Sequence, residues 1–247
     1  MNLKANFLNN KVCLNLLAKD IKNAKDIYDI TDGHVLVGVL SKNYSSVEEA
    51  VADMEKYAEN IDNCISIGLG GGDPKQWRMV ADICKKIKPK HVNQVFTGVG
   101  YSRANLENDE TIINSLVSPC GKVGFVKIST GPLSKDKEDG IIPIETAIAM
   151  IKDMGGSSIK YFPMEGLKYK EEYIAVCNAC AKENFILEPT GGIDLDNFKE
   201  IVEIPLKLGV EKVIPHVYTS IIDSKTKETK LKDVEKIYEI MKELTAE

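Results

Sequence analysis

The chain has 247 residues, of which 43% are hydrophobic, and it carries 32 lysines and arginines against 37 aspartates and glutamates, a net charge of −5. A chain of this length can bury a large core as one domain, so it needs neither a disulfide nor a metal to fold. The acidic balance, without a basic cluster, argues against a nucleic-acid partner. No run approaches the roughly 20 apolar residues that span a bilayer.

The N-terminal segment and the cysteines indicate the cellular location. Residues 1–6 lack the apolar run and the small-residue cleavage site of a signal peptide. We therefore expect no membrane association and a cytoplasmic location, where the six cysteines stay reduced. Cys177 and Cys180 have C-x-x-C spacing, but they fall in a helical pattern without a second pair, so we expect core residues rather than zinc ligands.

Short apolar, β-branched runs alternate with segments of helical period along the chain. Strands are predicted at 12–18, 34–41, 65–70, 91–98, 124–130, 158–164, 185–191 and 212–220. Helices are predicted near 20–30, 46–60, 74–88, 102–117, 144–154, 169–183, 195–208 and 231–245. Eight such units, without G-x-G-x-x-G after the first strand, predict an α/β fold: one (β/α)₈ TIM barrel domain over residues 1–247. A doubly wound open sheet is the alternative.

The fifth, sixth and seventh predicted strands carry charged residues within apolar runs, namely Lys127, Lys160 and Glu188. Active sites of such barrels lie at the C-terminal ends of the strands. Burial and a second nearby cation both lower the pKa of a lysine, which leaves a neutral amine able to attack a carbonyl. Position alone therefore favours a catalytic lysine, with Glu188 exchanging protons. A structural Lys–Glu ion pair inside the barrel is the alternative.

The loop after the seventh strand, Thr190-Gly191-Gly192, leads into a predicted helix start. Glycines let backbone N–H groups approach an anion, and barrels commonly bind phosphate at this loop, so we predict an anion site. A simple turn is the alternative. Other polar residues that could line the mouth of the barrel are Asn15, Lys42, Asn93, Thr97, Ser129 and Thr130.

The three histidines lie on three different predicted strands. His216 is far along the eighth strand and could reach the site. His34 and His91 stand at strand starts, which is the end of the barrel that serves stability rather than chemistry. We therefore do not expect the histidines to converge on a metal ion.

Two segments together point to a family. Ile159-Lys160-Tyr161-Phe162-Pro163 and the later Glu188-Pro189-Thr190-Gly191-Gly192-Ile193 resemble the lysine strand and the Pro-Thr-Gly-Gly-Ile loop of 2-keto-3-deoxy-6-phosphogluconate (KDPG) aldolases, which are class I, Schiff-base (β/α)₈ enzymes. The chain looks closer still, over nearly its full length, to the KDGP aldolase branch of D-glucosaminate catabolism. The segments that carry this second likeness are 35–44, 91–98, 126–134 and 155–164.

This resemblance implies cleavage of 2-dehydro-3-deoxy-6-phosphogluconate to pyruvate and glyceraldehyde 3-phosphate, with no metal and no other cofactor. Lys160 matches the imine-forming lysine. Thr190, Gly191 and Gly192 match the loop that contacts the carboxylate or phosphate end of the substrate. The implied partner is thus a small phosphorylated 2-keto sugar acid.

One departure from the better-known aldolases concerns the second strand. Those enzymes place a glutamate base there, followed by an arginine for the substrate carboxylate. Here the strand reads Val37-Gly38-Val39-Leu40-Ser41-Lys42 and has neither. Our hypothesis gives the proton-transfer role to Glu188 and the anion to Lys127 or Lys42.

Several functions share these features. A 4-hydroxy-2-oxoglutarate aldolase or another 2-keto acid aldolase would use the same lysine. A phosphosugar epimerase or isomerase shares the barrel and the late-loop anion site, and a non-catalytic barrel could bind a sugar-acid phosphate. Barrels of this kind usually associate through their outer helices, so we expect a homo-oligomer.

Overall fold

The computed structural model of the protein describes residues 3–246, so the predicted domain limits at residues 1 and 247 lie outside it. The strands are β1 (Leu14–Leu17), β2 (Val35–Leu40), β3 (Ile65–Gly68), β4 (His91–Val95), β5 (Ile112–Val117), β6 (Phe125–Lys127), β7 (Ile141–Pro143), β8 (Ser158–Tyr161), β9 (Ile186–Pro189) and β10 (His216–Val217). The α-helices are α1 (Ile21–Ile30), α2 (Val47–Asn60), α3 (Trp77–Ile83), α4 (Val99–Leu106), α5 (Ile144–Asp153), α6 (Lys170–Lys182), α7 (Phe198–Lys207) and α8 (Leu231–Thr245).

Eight of the strands form one parallel sheet in the order β10-β1-β2-β3-β4-β5-β8-β9. Parallel bridges between Leu187 and Val213 and between Thr190 and His216 join the two ends of this sheet. The sheet is therefore closed, which confirms the predicted (β/α)₈ barrel. The remaining strands, β6 and β7, form a separate antiparallel hairpin.

Side-chain caps start α1 and α2, and an apolar face packs α2 against the barrel. In α2, Ser46 is the N-cap and its hydroxyl accepts a hydrogen bond from the backbone N–H of Glu49 at 3.1 Å. Ala50, Met54 and Tyr57 then follow at helical spacing, and all three are buried against the barrel. The outer helices thus cover the sheet and leave the strand ends to build the site.

The prediction was wrong about the fifth barrel strand. Residues 112–117, predicted as the end of a helix, form β5, while the predicted strand at 124–130 contributes only the short β6 of the hairpin. The helix before β5 ends at Leu106, and Glu107 adopts a left-handed conformation with a φ of 53°. Glycine usually fills that position, and its absence hid the end of the helix. The other seven predicted strands each overlap a barrel strand.

Two further expectations concern cysteines and membranes. Cys177 and Cys180 are buried free thiols on α6, which confirms that they are core residues. Within residues 3–246, none of the helices combines the length and the apolar character that crossing a membrane requires.

Candidate active site

The centre of the barrel holds a network of polar side chains where such barrels usually pack branched apolar ones. Its members come from seven of the eight barrel strands, and all except Lys160 are buried. They are Asn15, Ser66, His91, Asn93, Asn114, Ser158, Lys160, Glu188 and His216. Because buried polar groups need partners, a network this extensive must satisfy itself internally.

Glu188 is the hub of this network and is fully buried. Its Oε1 accepts from His91 Nε2 at 3.0 Å and from the hydroxyl of Ser158, and its Oε2 accepts from His216 Nε2 and Asn114 Nδ2, both at 2.7 Å. Burial alone would raise the pKa of Glu188, but the two imidazoles outweigh that effect and hold it well below its usual value. Glu188 is thus a carboxylate whose four acceptor sites are filled.

Lys160 is the register partner of Glu188 on the neighbouring strand, but its amine has other contacts. Lys160 Nζ donates to Asn93 Oδ1 at 2.7 Å and lies 3.3 Å from His216 Nδ1. Burial lowers the pKa of Lys160 to about 8, although the negative charge of Glu188 opposes the shift. About a tenth of Lys160 is therefore an uncharged, nucleophilic amine at pH 7.

His216 bridges the carboxylate and the amine. Its Nε2 points at Glu188, and its Nδ1 lies 2.8 Å from the hydroxyl of Tyr218 as well as near Lys160 Nζ. Burial, and next the positive charge of Lys160, lower the pKa of His216 to about 3. The ring is therefore neutral at neutral pH.

The expectation that His91 would stay apart from His216 was wrong. His91 is the first residue of β4, yet one ligand atom from each of His91, Glu188 and His216 lies within 4.8 Å of the other two. Strands of a closed barrel are staggered, so the start of one strand lies level with the middle of another. Only His34 stands apart, with its Nδ1 3.1 Å from the hydroxyl of Tyr238.

Two imidazoles and a carboxylate at this separation are also a possible divalent-metal set. Each Nε2 here directs its proton at Glu188, and Ser158 and Asn114 occupy the remaining carboxylate lone pairs. A cation at this position would have to displace both imidazole protons and two further donors. The geometry therefore fits a hydrogen-bonded hub better than a metal centre.

A pocket opens above this network at the C-terminal ends of the strands. Lys160, Asn93 and Asn114 form its polar floor. The rest of its lining is largely apolar or backbone, comprising Leu40, Gly68, Leu69, Gly70, Gly71, Gly72, Gln94, Leu116, Phe162, Thr190 and Tyr218. A reactive amine at the floor of an apolar pocket can bind a carbonyl compound in a position for attack.

The predicted anion loop packs closely against a neighbouring turn, and its two glycines allow this close approach. Thr190 lines the pocket. Gly191 and Gly192 have φ values of 100° and 71°, and a Cβ at Gly192 would lie 2.5 Å from the backbone nitrogen of Gly166. These glycines let the loop lie against the turn that follows β8. The helix α7 begins only at Phe198, beyond the predicted start.

The two lysines predicted to take the anion lie in different surroundings. The aliphatic stem of Lys42 lies over Gly70, where a Cβ would be 2.3 Å from its Cδ, and Gly70 lines the pocket. Lys127 does not lie on a barrel strand, contrary to prediction, because residues 125–127 form the hairpin. Its Nζ pairs with Asp139 at 3.2 Å.

The other predicted mouth residues divide into two groups. Asn93 contacts Lys160, and Asn15 accepts from the Tyr218 hydroxyl at 2.9 Å. The second group, Thr97, Ser129 and Thr130, lies around the hairpin and does not line the pocket. Thr130 has a structural role, because its hydroxyl donates to Leu116 O at 3.0 Å and accepts from Phe96 N at 3.0 Å.

The sequence analysis missed several residues of the site, namely Ser66, Asn114, Ser158 and Tyr218. Asn114 was hidden by the wrong assignment of β5. The Ser66 hydroxyl lies 2.7 Å from His91 Nδ1, a contact that no sequence spacing indicates. Tyr218 follows a strand of only two residues, but its place beyond a strand end was a usable signal.

Comparison with known proteins assigns the family. The family model described as KDGP aldolase matches residues 8–225. The chain belongs to the KDGP aldolase family. A relative from Salmonella typhimurium (strain 14028s / SGSC 2262), named 2-dehydro-3-deoxy-phosphogluconate aldolase, is 43% identical over 243 residues, which is 97% of this chain and 98% of the relative. KDGP aldolases are carbon–carbon lyases, and this chain is one of them.

Solved structures share the fold of this KDGP aldolase at low sequence identity. A mutant tryptophan synthase alpha-subunit from Pyrococcus furiosus has a TM-score of 0.57 at 13% identity, covering 98% of this chain and 100% of that one. The carboxyl transferase domain of Rhizobium etli pyruvate carboxylase with pyruvate has a TM-score of 0.53 at 9% identity, covering 96% of this chain and 48% of that one. These likenesses concern the barrel alone.

Proposed function

We propose that this aldolase cleaves 2-dehydro-3-deoxy-6-phosphogluconate to pyruvate and glyceraldehyde 3-phosphate through a Schiff base on Lys160. The observation that carries this proposal is the placement of Lys160 Nζ at the floor of the pocket, hydrogen-bonded to Asn93, with a pKa of about 8. Nucleophilic attack on the C2 ketone requires a neutral amine, and a protonated imine then accepts the electron pair of the C3–C4 bond. The name of the Salmonella relative supports the substrate.

Substrate binding follows from the lining of the pocket. We assign the anionic end that faces the mouth to Lys42, whose stem rests on the pocket residue Gly70. Thr190 lines the wall of the pocket, while Gly191 and Gly192 hold the loop in place behind it. An aldolase for 4-hydroxy-2-oxoglutarate would use the same lysine, and the second carboxylate of that compound would also face Lys42. Comparing kcat/KM for the two compounds therefore separates the two substrates.

The proposal is tested by adding pyruvate and borohydride to the protein and mapping the reduced adduct by peptide mass spectrometry. The adduct is expected on Lys160 and absent from Lys160→Arg. Lys90, which is buried and pairs with Asp62 at 2.9 Å, serves as the internal control and stays unmodified. Modification of other lysines instead of Lys160, or no modification at all, would contradict the Schiff-base proposal. Either result would favour an isomerase or a binding protein.

We further propose a single domain over residues 1–247, a cytoplasmic location and a homo-oligomer. The buried free thiols suit a reducing compartment. The two most exposed large apolar side chains lie in and near the hairpin, where Leu133 is 84% exposed and Val123 is 54% exposed, and these suit a subunit contact. Light scattering of the native protein and of Leu133→Asp tests the assembly: the native protein is expected to be larger than a monomer.

A further inference from the structure

Tyr218 lies between the pocket and the buried network. Its side chain lines the pocket together with Lys160. Its hydroxyl lies 2.8 Å from His216 Nδ1 and 2.9 Å from Asn15 Oδ1, so its one proton has two alternative acceptors. Burial raises the pKa of Tyr218, which keeps the phenol protonated at rest. A hydroxyl placed in this way can exchange a proton with a bound substrate on one side and with His216 on the other.

The orientation of the His216 proton follows from its neighbours. Glu188 is an ionised carboxylate and can only accept, so the Nε2 that lies 2.7 Å away must carry the proton of the neutral ring. Nδ1 is then an acceptor that faces the Tyr218 hydroxyl and Lys160 Nζ. Glu188 therefore fixes His216 in the tautomer that can take a proton from either group.

Glu188 itself is poorly placed for exchange with substrate. It is fully buried, it does not line the pocket, and its oxygens are filled by four donors from the barrel interior. It reaches Lys160 through other side chains, by way of His216 on one side and of Asn114 and Asn93 on the other.

Given the Schiff-base function on which this inference rests, we propose that Tyr218 and His216 are the proton relay of the aldol cleavage. Tyr218 exchanges protons with the substrate as a catalytic residue, and His216 Nδ1 holds the proton between steps. Glu188 is a positioning residue that acts through His216. This replaces the hypothesis that Glu188 is itself the base.

The relay balances every proton of the reaction. To form the imine, the Lys160 ammonium passes one proton to His216. The free amine attacks C2, a second nitrogen proton moves to the C2 oxygen, and His216 returns its proton to that hydroxyl, which leaves as water. In the cleavage step, the Tyr218 oxygen takes the C4 hydroxyl proton while its own proton moves to His216 Nδ1.

The C3–C4 bond then breaks, its electron pair forms the enamine, and the aldehyde departs. The proton held on His216 returns through Tyr218 to C3 of the enamine. Water hydrolyses the resulting imine, which releases pyruvate and restores the Lys160 ammonium. No oxidant, metal or second substrate enters this sequence.

Tyr218→Phe separates the relay from imine formation. In this variant we expect pyruvate and borohydride to label Lys160 as in the native protein. We expect cleavage of the phosphorylated keto acid to fall by about 10²- to 10⁴-fold, the usual range for loss of a general acid–base group. Exchange of the pyruvate methyl hydrogens with D₂O, followed by NMR, should fall in parallel, because it requires proton transfer at C3 but no aldehyde.

Tyr101→Phe is the matched control, because Tyr101 lies on an outer helix and its hydroxyl donates to Asp82. His216→Gln should lose both cleavage and exchange. If Tyr218→Phe is labelled at Lys160 and also cleaves substrate and exchanges hydrogens at native rates, the proposed relay is overturned but the Schiff-base function is not. Absence of labelling in the native protein would instead overturn the Schiff-base function, so the two failures are distinguishable.

Discussion

Lys160 and Glu188 are register partners on adjacent strands, yet their charged groups communicate through His216 and a pair of asparagines. The carboxylate lies in the sealed interior and the amine opens into the pocket. A direct ion pair would have held the proton on Lys160 and suppressed its nucleophilicity. The intervening groups let Glu188 orient the site while Lys160 stays partly neutral.

The rate of labelling of Lys160 by pyruvate and borohydride should depend on pH in a specific way. Burial depresses the pKa of this lysine from 10.5 to about 8, so the neutral amine increases as pH rises towards 8. Below pH 8 the initial rate should increase by about tenfold per pH unit, and above it the rate should level off. A rate that keeps rising to pH 10 would indicate an ordinary exposed lysine.

Glu188→Gln should move this pH profile to lower pH. The negative charge of Glu188 raises the pKa of Lys160, so its removal leaves burial unopposed and the midpoint falls below 8. The measurement is the midpoint of the labelling rate against pH. Glu172→Gln is the control, because Glu172 is also buried but bonds to Cys120 N and Gly121 N outside the barrel interior. An unchanged midpoint in Glu188→Gln would mean that the two charges do not interact.

Lys42→Met should weaken binding of the phosphorylated substrate without affecting imine formation. Loss of one charge-assisted contact at the mouth is expected to raise KM on the order of tenfold. Steady-state kinetics measure this change, and pyruvate labelling of Lys160 should stay native. Lys127→Met tests the other predicted anion ligand and should leave KM unchanged, because Lys127 pairs with Asp139 on the hairpin. A raised KM in Lys127→Met together with a native KM in Lys42→Met would assign the anion to Lys127.

Alanine substitution of two glycines should separate backbone strain from packing. Gly71 has a φ of 65°, and an added Cβ would meet no heavy atom within 4 Å, so Gly71→Ala should cost about 1–2 kcal/mol for the left-handed conformation. Gly192→Ala adds a contact of 2.5 Å with Gly166 N and should cost more than that. Urea unfolding measures both free energies. Equal costs would show that the loop after β9 is free to move away from its neighbour.

Dialysis against a chelator should leave cleavage unchanged. His91, Glu188 and His216 are close enough to ligate a cation, but they are joined by hydrogen bonds that a cation would have to break. Activity before and after treatment is compared in metal-free buffer. A loss that an added divalent metal reverses would assign these side chains to a metal centre.

The amino-acid sequence by itself determined the barrel and singled out Lys160 as the candidate nucleophile. Seven of the eight strands follow from local patterns, because apolar runs and helical periods depend on near neighbours. Lys160 stands out because an ammonium group in an apolar strand is costly to bury unless it is paired. Those features need no knowledge of distant contacts.

Only the tertiary structure decided the strand β5 and the partners of Lys160. The end of the preceding helix at Glu107 carries no glycine, so its left-handed turn arises from context rather than residue type. His91 and His216 are 125 positions apart in the chain, as their numbers show, and meet at Glu188 only because closure and stagger of the barrel bring them level. Long-range geometry of this kind leaves no local signal.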